Sequence, residues 1–377
     1  MTRRINMNTN NIITQPSQRL RSLDFMRGLI MVLLMMEGAG FYERFHEATS
    51  GDFLNAFLTQ FSHHPWHGLR FWDLIQPGFM FVAGTALALS LHRQQVQGMP
   101  WHNSFLKVLK RSGWLFFFGV LNYAVKKDGL AFELWNVLTQ LSFTTLVAFL
   151  IFNWSNTAQI IFSALLLLLV EVLYRYVNIQ GYNQPFVDQH NFGNYMDTVL
   201  MGKVDDDGWV AINCISTSCH TIWGALAGKL LFSTINNRKK ISRLVIFGLV
   251  TLLLGFLMDW TGITPIIKRI ATSAFVLASG GWCLLALAFF YWWIDIKDHK
   301  KYLFFFTVIG TNSLFIYLFM GIVASHWFNG YIDAITFGLL KHVLPETIVA
   351  VISSLLIFSL EWLLCLYLYR KKIFIKI

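Results

Sequence analysis

Charge is what this chain has least of. Asp, Glu, Lys and Arg make up 13% of its 377 residues, about half the share of a soluble domain. With 55% hydrophobic residues, that excludes a water-soluble globule, and the apolar stretches must be measured against a bilayer. Cysteine is scarce as well. Cys214, Cys219, Cys283 and Cys365 include no C-x-x-C pair, which argues against a disulfide scaffold or a cysteine zinc site. Residues 1–22 lack an apolar core and hold Arg3, Arg4, Arg19 and Arg21, so a cytoplasmic tail is expected there, not a cleavable signal peptide. Neither a tandem repeat of fixed period nor a low-complexity segment occurs.

What is present is a series of long apolar runs, at about 23–43, 71–91, 107–124, 136–153, 157–175, 209–232, 243–260, 271–294, 303–325 and 347–369. They predict an all-α polytopic membrane bundle of about ten helices. A single transmembrane domain is expected over 23–372, with external segments 44–70 and 177–208 and a short C-terminal tail, 373–377. Residues 330–343 are too short to cross and read as a re-entrant or surface helix.

The net charge of +10 could point to nucleic acid, but its placement points to topology. With ten spans, nineteen of the thirty basic residues fall on one side and nine on the other. The positive-inside rule then puts both termini in the cytoplasm, and nucleic acid is not an expected partner. The 16% aromatic content suits interfacial belts. Gly78 and Gly84 permit close helix approach, Gly224 and Gly228 form a G-x-x-x-G packing pattern, and Pro77 predicts a kink in the second span.

The chemistry concentrates in FSHHPWHGLRFWDLIQPGFMFVAG, residues 61–84. His63, His64, Trp66, His67, Arg70 and Asp73 fall within eleven residues at the edge of an apolar run. Ionisable groups at such depth are expensive unless paired or solvated, and mark functional paths. By residue chemistry three readings stand. His63 and His67, four apart, could ligate zinc with His64; the imidazoles could form a structural interfacial cluster; or one could act as general base or nucleophile, its tautomer set by Asp73. Elsewhere Asp24 and Arg27 sit three apart in the first span, where they can pair or line a ligand path. Glu37 lies about 20 Å further along the same helix. The triple acid Asp205-Asp206-Asp207 ends a polar external segment that is either a solvated loop or a lid for a cationic acceptor.

RSLDFMRGL at the start, followed by HHPWHGLRFWDLIQPGFMFVAG, resembles the transmembrane acetyltransferases of the heparan-alpha-glucosaminide N-acetyltransferase family and its bacterial branch. The family pattern H-x-x-W-x-G-L-x-x-x-D-L-x-x-P-x-F-x-F-x-x-G is met by His63, Trp66, Gly68, Leu69, Asp73, Leu74, Pro77, Phe79, Phe81 and Gly84. NFGNYMDTVLMG at 191–202, TIWGALAG at 221–228, PIIKRIATSAFVLASGG at 265–281 and IGTNSLFIY at 309–317 extend the likeness. NVLTQL at 136–141 departs from it, with Thr139 and Gln140 where the family has Gln-Arg.

The resemblance implies acetyl transfer from cytoplasmic acetyl-CoA to the amino group of glucosamine or a terminal glucosamine, at a bacterial inner membrane and without a metal. It implies His63 as the active histidine, with Asp73 beside it. Trp66, His67 and Glu37 are then candidates for the acceptor. Arg27, Asp24, Arg93, Lys107, Lys110, Arg111 and Asn312 are candidates for the CoA end. Dimerisation rests on family likeness alone. An O-acyltransferase of an envelope glycan and a solute transporter are the competing function classes; no inverted repeat of the transporter kind is visible.

Overall fold

The computed structural model describes residues 20–126 and 129–375; the basic tail before residue 20 lies outside them. The described chain is helical apart from one two-residue hairpin, β1 (Val125–Lys126) with β2 (Gly129–Leu130). In order, α1 (Arg21–Gly38) and α2 (Phe41–Ala48) are bent by 60° at Gly40, whose φ of 71° only glycine adopts freely. After α3 (Asp52–Thr59), a 3₁₀ turn at Phe71–Leu74 opens α4 (Ile75–Val96). Then come α5 (Trp101–Ala124), α6 (Val137–Leu150), α7 (Asn156–Tyr176), α8 (Phe192–Met201), α9 (Asn213–Phe232), α10 (Asn237–Trp260) and α11 (Ser273–Phe290). The last are α12 (Leu303–Gly310), α13 (Ser313–Phe319), α14 (Asn329–Leu340) and α15 (Glu346–Arg370).

All ten expected runs lie on helices, but among the described residues six helices are long and apolar enough to cross a bilayer, seven if the bent α1–α2 pair counts as one. The shortfall has local causes. The α6 helix has only 14 residues, α5 carries Lys107, Lys110 and Arg111, and α9 opens with the polar run NCISTSCHT.

Two expectations about helix shape are corrected. Pro77 falls in the first turn of α4, where backbone N–H groups have no intrahelical acceptor. It therefore begins the helix instead of kinking its interior. Residues 330–340 are not a separate surface helix: Ser313–Leu340 runs as one 28-residue helix, through a π-helical stretch at Met320–Phe328.

The core pairings are α4 on α9 and α10 on α11. The first is a backbone contact. A Cβ on Gly84 would meet the Thr221 carbonyl oxygen at 2.0 Å, and one on Gly224 would meet the Phe81 carbonyl oxygen at 2.0 Å. Thr85 Oγ1 donates to the Gly224 carbonyl at 3.0 Å across the interface. Small residues allow this approach, and the hydrogen bond replaces hydrophobic drive, which lipid does not supply. By contrast, α10 buries only Lys240, Leu244, Gly248 and Gly255, and its outer face is apolar and exposed.

At one end of the bundle the polar segments interlock. Trp66 Nε1 donates to the Phe186 carbonyl at 2.8 Å, the Gly68 N–H donates to the Ile266 carbonyl at 2.9 Å, and Lys203 pairs with Glu133 at 2.6 Å. The 44–70 and 177–208 segments thus form a cap that includes α3 and α8, and the loop between α10 and α11 completes it.

Candidate functional site

The segment before α4 is held by its own arginine. Arg70 Nη1 donates to Ser62 Oγ at 2.8 Å and to the His63 carbonyl at 2.9 Å. The Arg70 N–H donates to Asp73 Oδ2 at 2.8 Å. That leaves Asp73 Oδ1 facing His63 Nδ1 at 3.4 Å, with Asp73 fully buried.

A third group enters from 195 residues further on. Lys268 Nζ lies 2.8 Å from His63 Nδ1 and 3.4 Å from Asp73 Oδ1. Its loop is folded around Thr272, whose Oγ1 donates to the Pro265 carbonyl at 2.7 Å and accepts from the Ile267 N–H at 3.0 Å. An antiparallel bridge joins His67 to Ile267. Trp209 covers the group, with its ring 5.9 Å from the His63 ring and 5.2 Å from the Lys268 ammonium.

This environment disfavours extra positive charge. Burial lowers the His63 pKa, the Asp73 hydrogen bond opposes it, and the Lys268 charge lowers it further. Burial brings Lys268 down to about 8, against the pull of Asp73. His63 is therefore a neutral imidazole at neutral pH. Its Nδ1 is engaged by Asp73 and Lys268, so Nε2 is the nitrogen left for a ligand.

His63 lines a cavity of about 300 Å³. Carboxylates converge on it: Glu37, Glu133, Asp205 and Asp207. So do aromatic rings, among them Trp72, Trp135, Trp209 and Tyr123. Glu37 Oε1 accepts from Trp72 Nε1 at 2.9 Å. Trp135 is oriented by Asp197, whose Oδ2 accepts from Trp135 Nε1 at 3.0 Å while its Oδ1 accepts from the Ala211 N–H at 2.8 Å. Burial pushes that carboxyl up to about 7 despite both bonds. Asp205 is raised by burial too, and its Oδ2 accepts from the Trp209 N–H at 3.2 Å.

Of the sequence candidates, the structure brings His63, Asp73 and Glu37 to this end of the bundle; His63 and Glu37 line the cavity, and Asp73 stands behind the imidazole. Trp66 and His67 do not line it. The Trp66 ring packs with Val210, Ile267 and Ile270, and His67 Nε2 pairs with Asp259 at 2.7 Å on the outer surface. The His64 ring covers Gly68, and among the described residues no three His, Cys, Asp or Glu side chains form a metal-holding group.

The remaining candidates do not line the cavity. Arg27 and Asp24 are 3.9 Å apart, and Arg111 Nε is buried without a hydrogen-bond partner. Leu34, on the cavity wall, is seven residues from Arg27 along α1, about 10 Å. Arg93 and Lys107 are exposed and line no part of the cavity. Asn312 binds backbone: its Nδ2 donates to the Ile373 carbonyl at 3.0 Å and its Oδ1 accepts from the Ile375 N–H at 3.1 Å.

Lys268, Glu133, Trp135 and Trp209 were not singled out from the sequence. For Lys268 one signal existed: Lys268-Arg269 is a basic pair on the side where basic residues are few.

No curated protein matches the chain. Residues 19–192 match the family model of the heparan-alpha-glucosaminide N-acetyltransferase catalytic domain, a span that holds His63, Asp73, Glu37, Glu133 and Trp135. Over those residues the chain is similar to the catalytic domain of the heparan-alpha-glucosaminide N-acetyltransferase family, which points to a membrane acetyltransferase.

Proposed function

We propose that the protein moves the acetyl group of acetyl-CoA to the amino group of glucosamine, or of a glycan ending in glucosamine, with His63 as general base. The observation that carries this reading is the neutral imidazole between Asp73 and Lys268 at the wall of an acidic, aromatic cavity. Glu37 and Asp205, beside Glu133 and Asp207 that already meet Lys203 and Arg269, suit an ammonium-bearing ligand, and indole faces suit the C–H face of a sugar. A plain hydroxyl acceptor has no charge for them to meet.

The acceptor arrives protonated and cannot attack in that form. The carboxylates hold it while that first proton is lost to water at the cavity mouth. As the free amine attacks the thioester carbonyl, the nitrogen becomes positive and gives its second proton to His63 Nε2. Collapse breaks the C–S bond, and the proton passes from His63 to the departing thiolate, so amide and thiol are the products. Asp73 and Lys268 share the job of placing Nδ1. Imidazolium formation needs a hydrogen on Nδ1 facing Asp73, so the Lys268 ammonium must turn its protons toward the carboxylate. For the donor, Arg27 on α1 and Arg111 on α5 are the candidate basic groups within the bundle, and Arg93, Lys107 and Lys110 extend that basic face. We place this face in the cytoplasm of a bacterium, with the cavity on the far side of its inner membrane.

Purified protein in nanodiscs, given acetyl-CoA, should release free thiol with glucosamine and not with glucose or N-acetylglucosamine. His63→Ala should reduce that release by at least about a hundredfold while leaving the melting temperature unchanged. Equal release with sugars lacking an amine would overturn the amine assignment, and undiminished turnover in the alanine variant would overturn the role of His63.

A further inference from the structure

A second cavity lies at the far ends of α4 and α9, independent of the acetyl-transfer reading. It is about 25 Å along α4 from the mouth, counting from Ile75 to His92. Its volume is about 380 Å³, and His92, Gln95, Phe152, Asn153, Trp154 and Lys229 line it. Among the described residues no carboxylate lines it.

Lys229 is the group that needs explaining. It lies on the last turn of a helix packed in the centre of the bundle. Its ammonium stands 4.1 Å over the Phe152 ring and donates one hydrogen to the Phe152 carbonyl. Two donors remain, and no described acidic side chain pairs with them. Beside it, the His92 ring is stacked on Phe232 with centroids 5.9 Å apart, and its nitrogens hydrogen-bond to no described residue. Gln95 Nε2 donates to Asn153 Oδ1 at 3.2 Å, which leaves the second hydrogen of the Gln95 amide for a ligand. The site thus offers free donors and a cation with no described carboxylate to meet them.

The surroundings decide between a soluble anion and a lipid. Trp154 is half exposed at the lip, and Trp101 and Leu150 beside it are more exposed still. An indole with one side apolar and one wet belongs at the headgroup level, and apolar neighbours offer a surface for acyl chains. Basic hollows between membrane helices are suited to anionic headgroups. We propose that this cavity binds the phosphate of an anionic phospholipid, with Lys229, His92 and Gln95 as its donors.

The test is native mass spectrometry of the full chain released from nanodiscs containing phosphatidylglycerol and phosphatidylethanolamine. One phosphatidylglycerol should be retained in preference to phosphatidylethanolamine. Lys229→Gln should weaken that retention roughly fivefold, the effect of removing one cation near a charged membrane surface. His92→Gln, which keeps a donor at an exposed position, should weaken it less. Melting temperatures measured alongside identify a variant that has lost its fold, and His92→Gln then carries the comparison. Equal retention of the two lipids, or retention untouched in both variants, would overturn the site. Displacement of the lipid by coenzyme A or inorganic phosphate would show that the phosphate comes from a soluble ligand and would overturn the lipid assignment.

Discussion

The chemistry turns on how many protons three side chains can hold. Lys268 and His63 are too close to be fully charged together: burial and then the Lys268 charge lower His63, and burial lowers Lys268. Because the His63 pKa lies below its ordinary value, the base is available through neutral pH, and the rate should fall only as acid protonates it. Lys268 contributes to that lowering, so Lys268→Met should let the His63 pKa rise and move the acidic limb of kcat/KM to higher pH. Asp73→Asn removes a group that raises the His63 pKa, so its acidic limb should move the other way, with kcat reduced about a hundredfold or more. A pH profile of the three proteins checks both signs; limbs that coincide would separate Lys268 and Asp73 from the base. Much of this was legible in the chain. The histidine-to-proline stretch places His63 and Asp73 ten residues apart, and their meeting needs only a short turn before α4. Lys268 and Trp209 come from remote loops, and no local spacing reports a partner 146 or 205 residues away.

Among the elements, the loop between α10 and α11 and the α4–α9 contact matter most. Thr272 closes the 265–272 loop on itself and so aims Lys268. Thr272→Val keeps the shape, removes those hydrogen bonds, and should cost activity by reproducing part of the Lys268→Met pH shift. Full activity with an unchanged profile would show that the loop needs no such closure. At the helix contact, Gly224→Ala sets a methyl against the Phe81 carbonyl, and overpacking of this kind costs about 1–3 kcal/mol. A lower melting temperature in detergent is the expected reading. The existence of the helices was readable from apolar runs, and the G-x-x-x-G pattern on α9 was readable as packing. The break at Gly40 and the unbroken Ser313–Leu340 helix were not, because a hydropathy run carries neither direction nor continuity. Pro77 shows the same limit: its effect depends on whether it opens a helix or interrupts one, and that is fixed by where the preceding 3₁₀ turn ends.

For the molecule as a whole, the arrangement separates two surfaces. The acidic, aromatic cavity opens among the capping segments, and the basic ends of α4, α9 and α10 lie opposite. If the basic surface is cytoplasmic, a cysteine introduced at His299 should react with a membrane-impermeant maleimide only from the cytoplasmic side, and one at Gln184 only from the other. The reverse pattern would invert the topology. Charge placement made the separation of a basic end readable in outline, while the cap itself was not, since its contacts join segments more than a hundred residues apart.

The meeting of α4 with α9, main chain against main chain, bears on how two reagents from opposite sides could ever touch. Where carbonyl oxygens leave no room even for a methyl group, neither helix can slide or pivot past its neighbour without opening a void. The two helices therefore move as one unit. In the proposed reaction, a donor entering at the basic end would meet His63 by the reach of its own flexible tether.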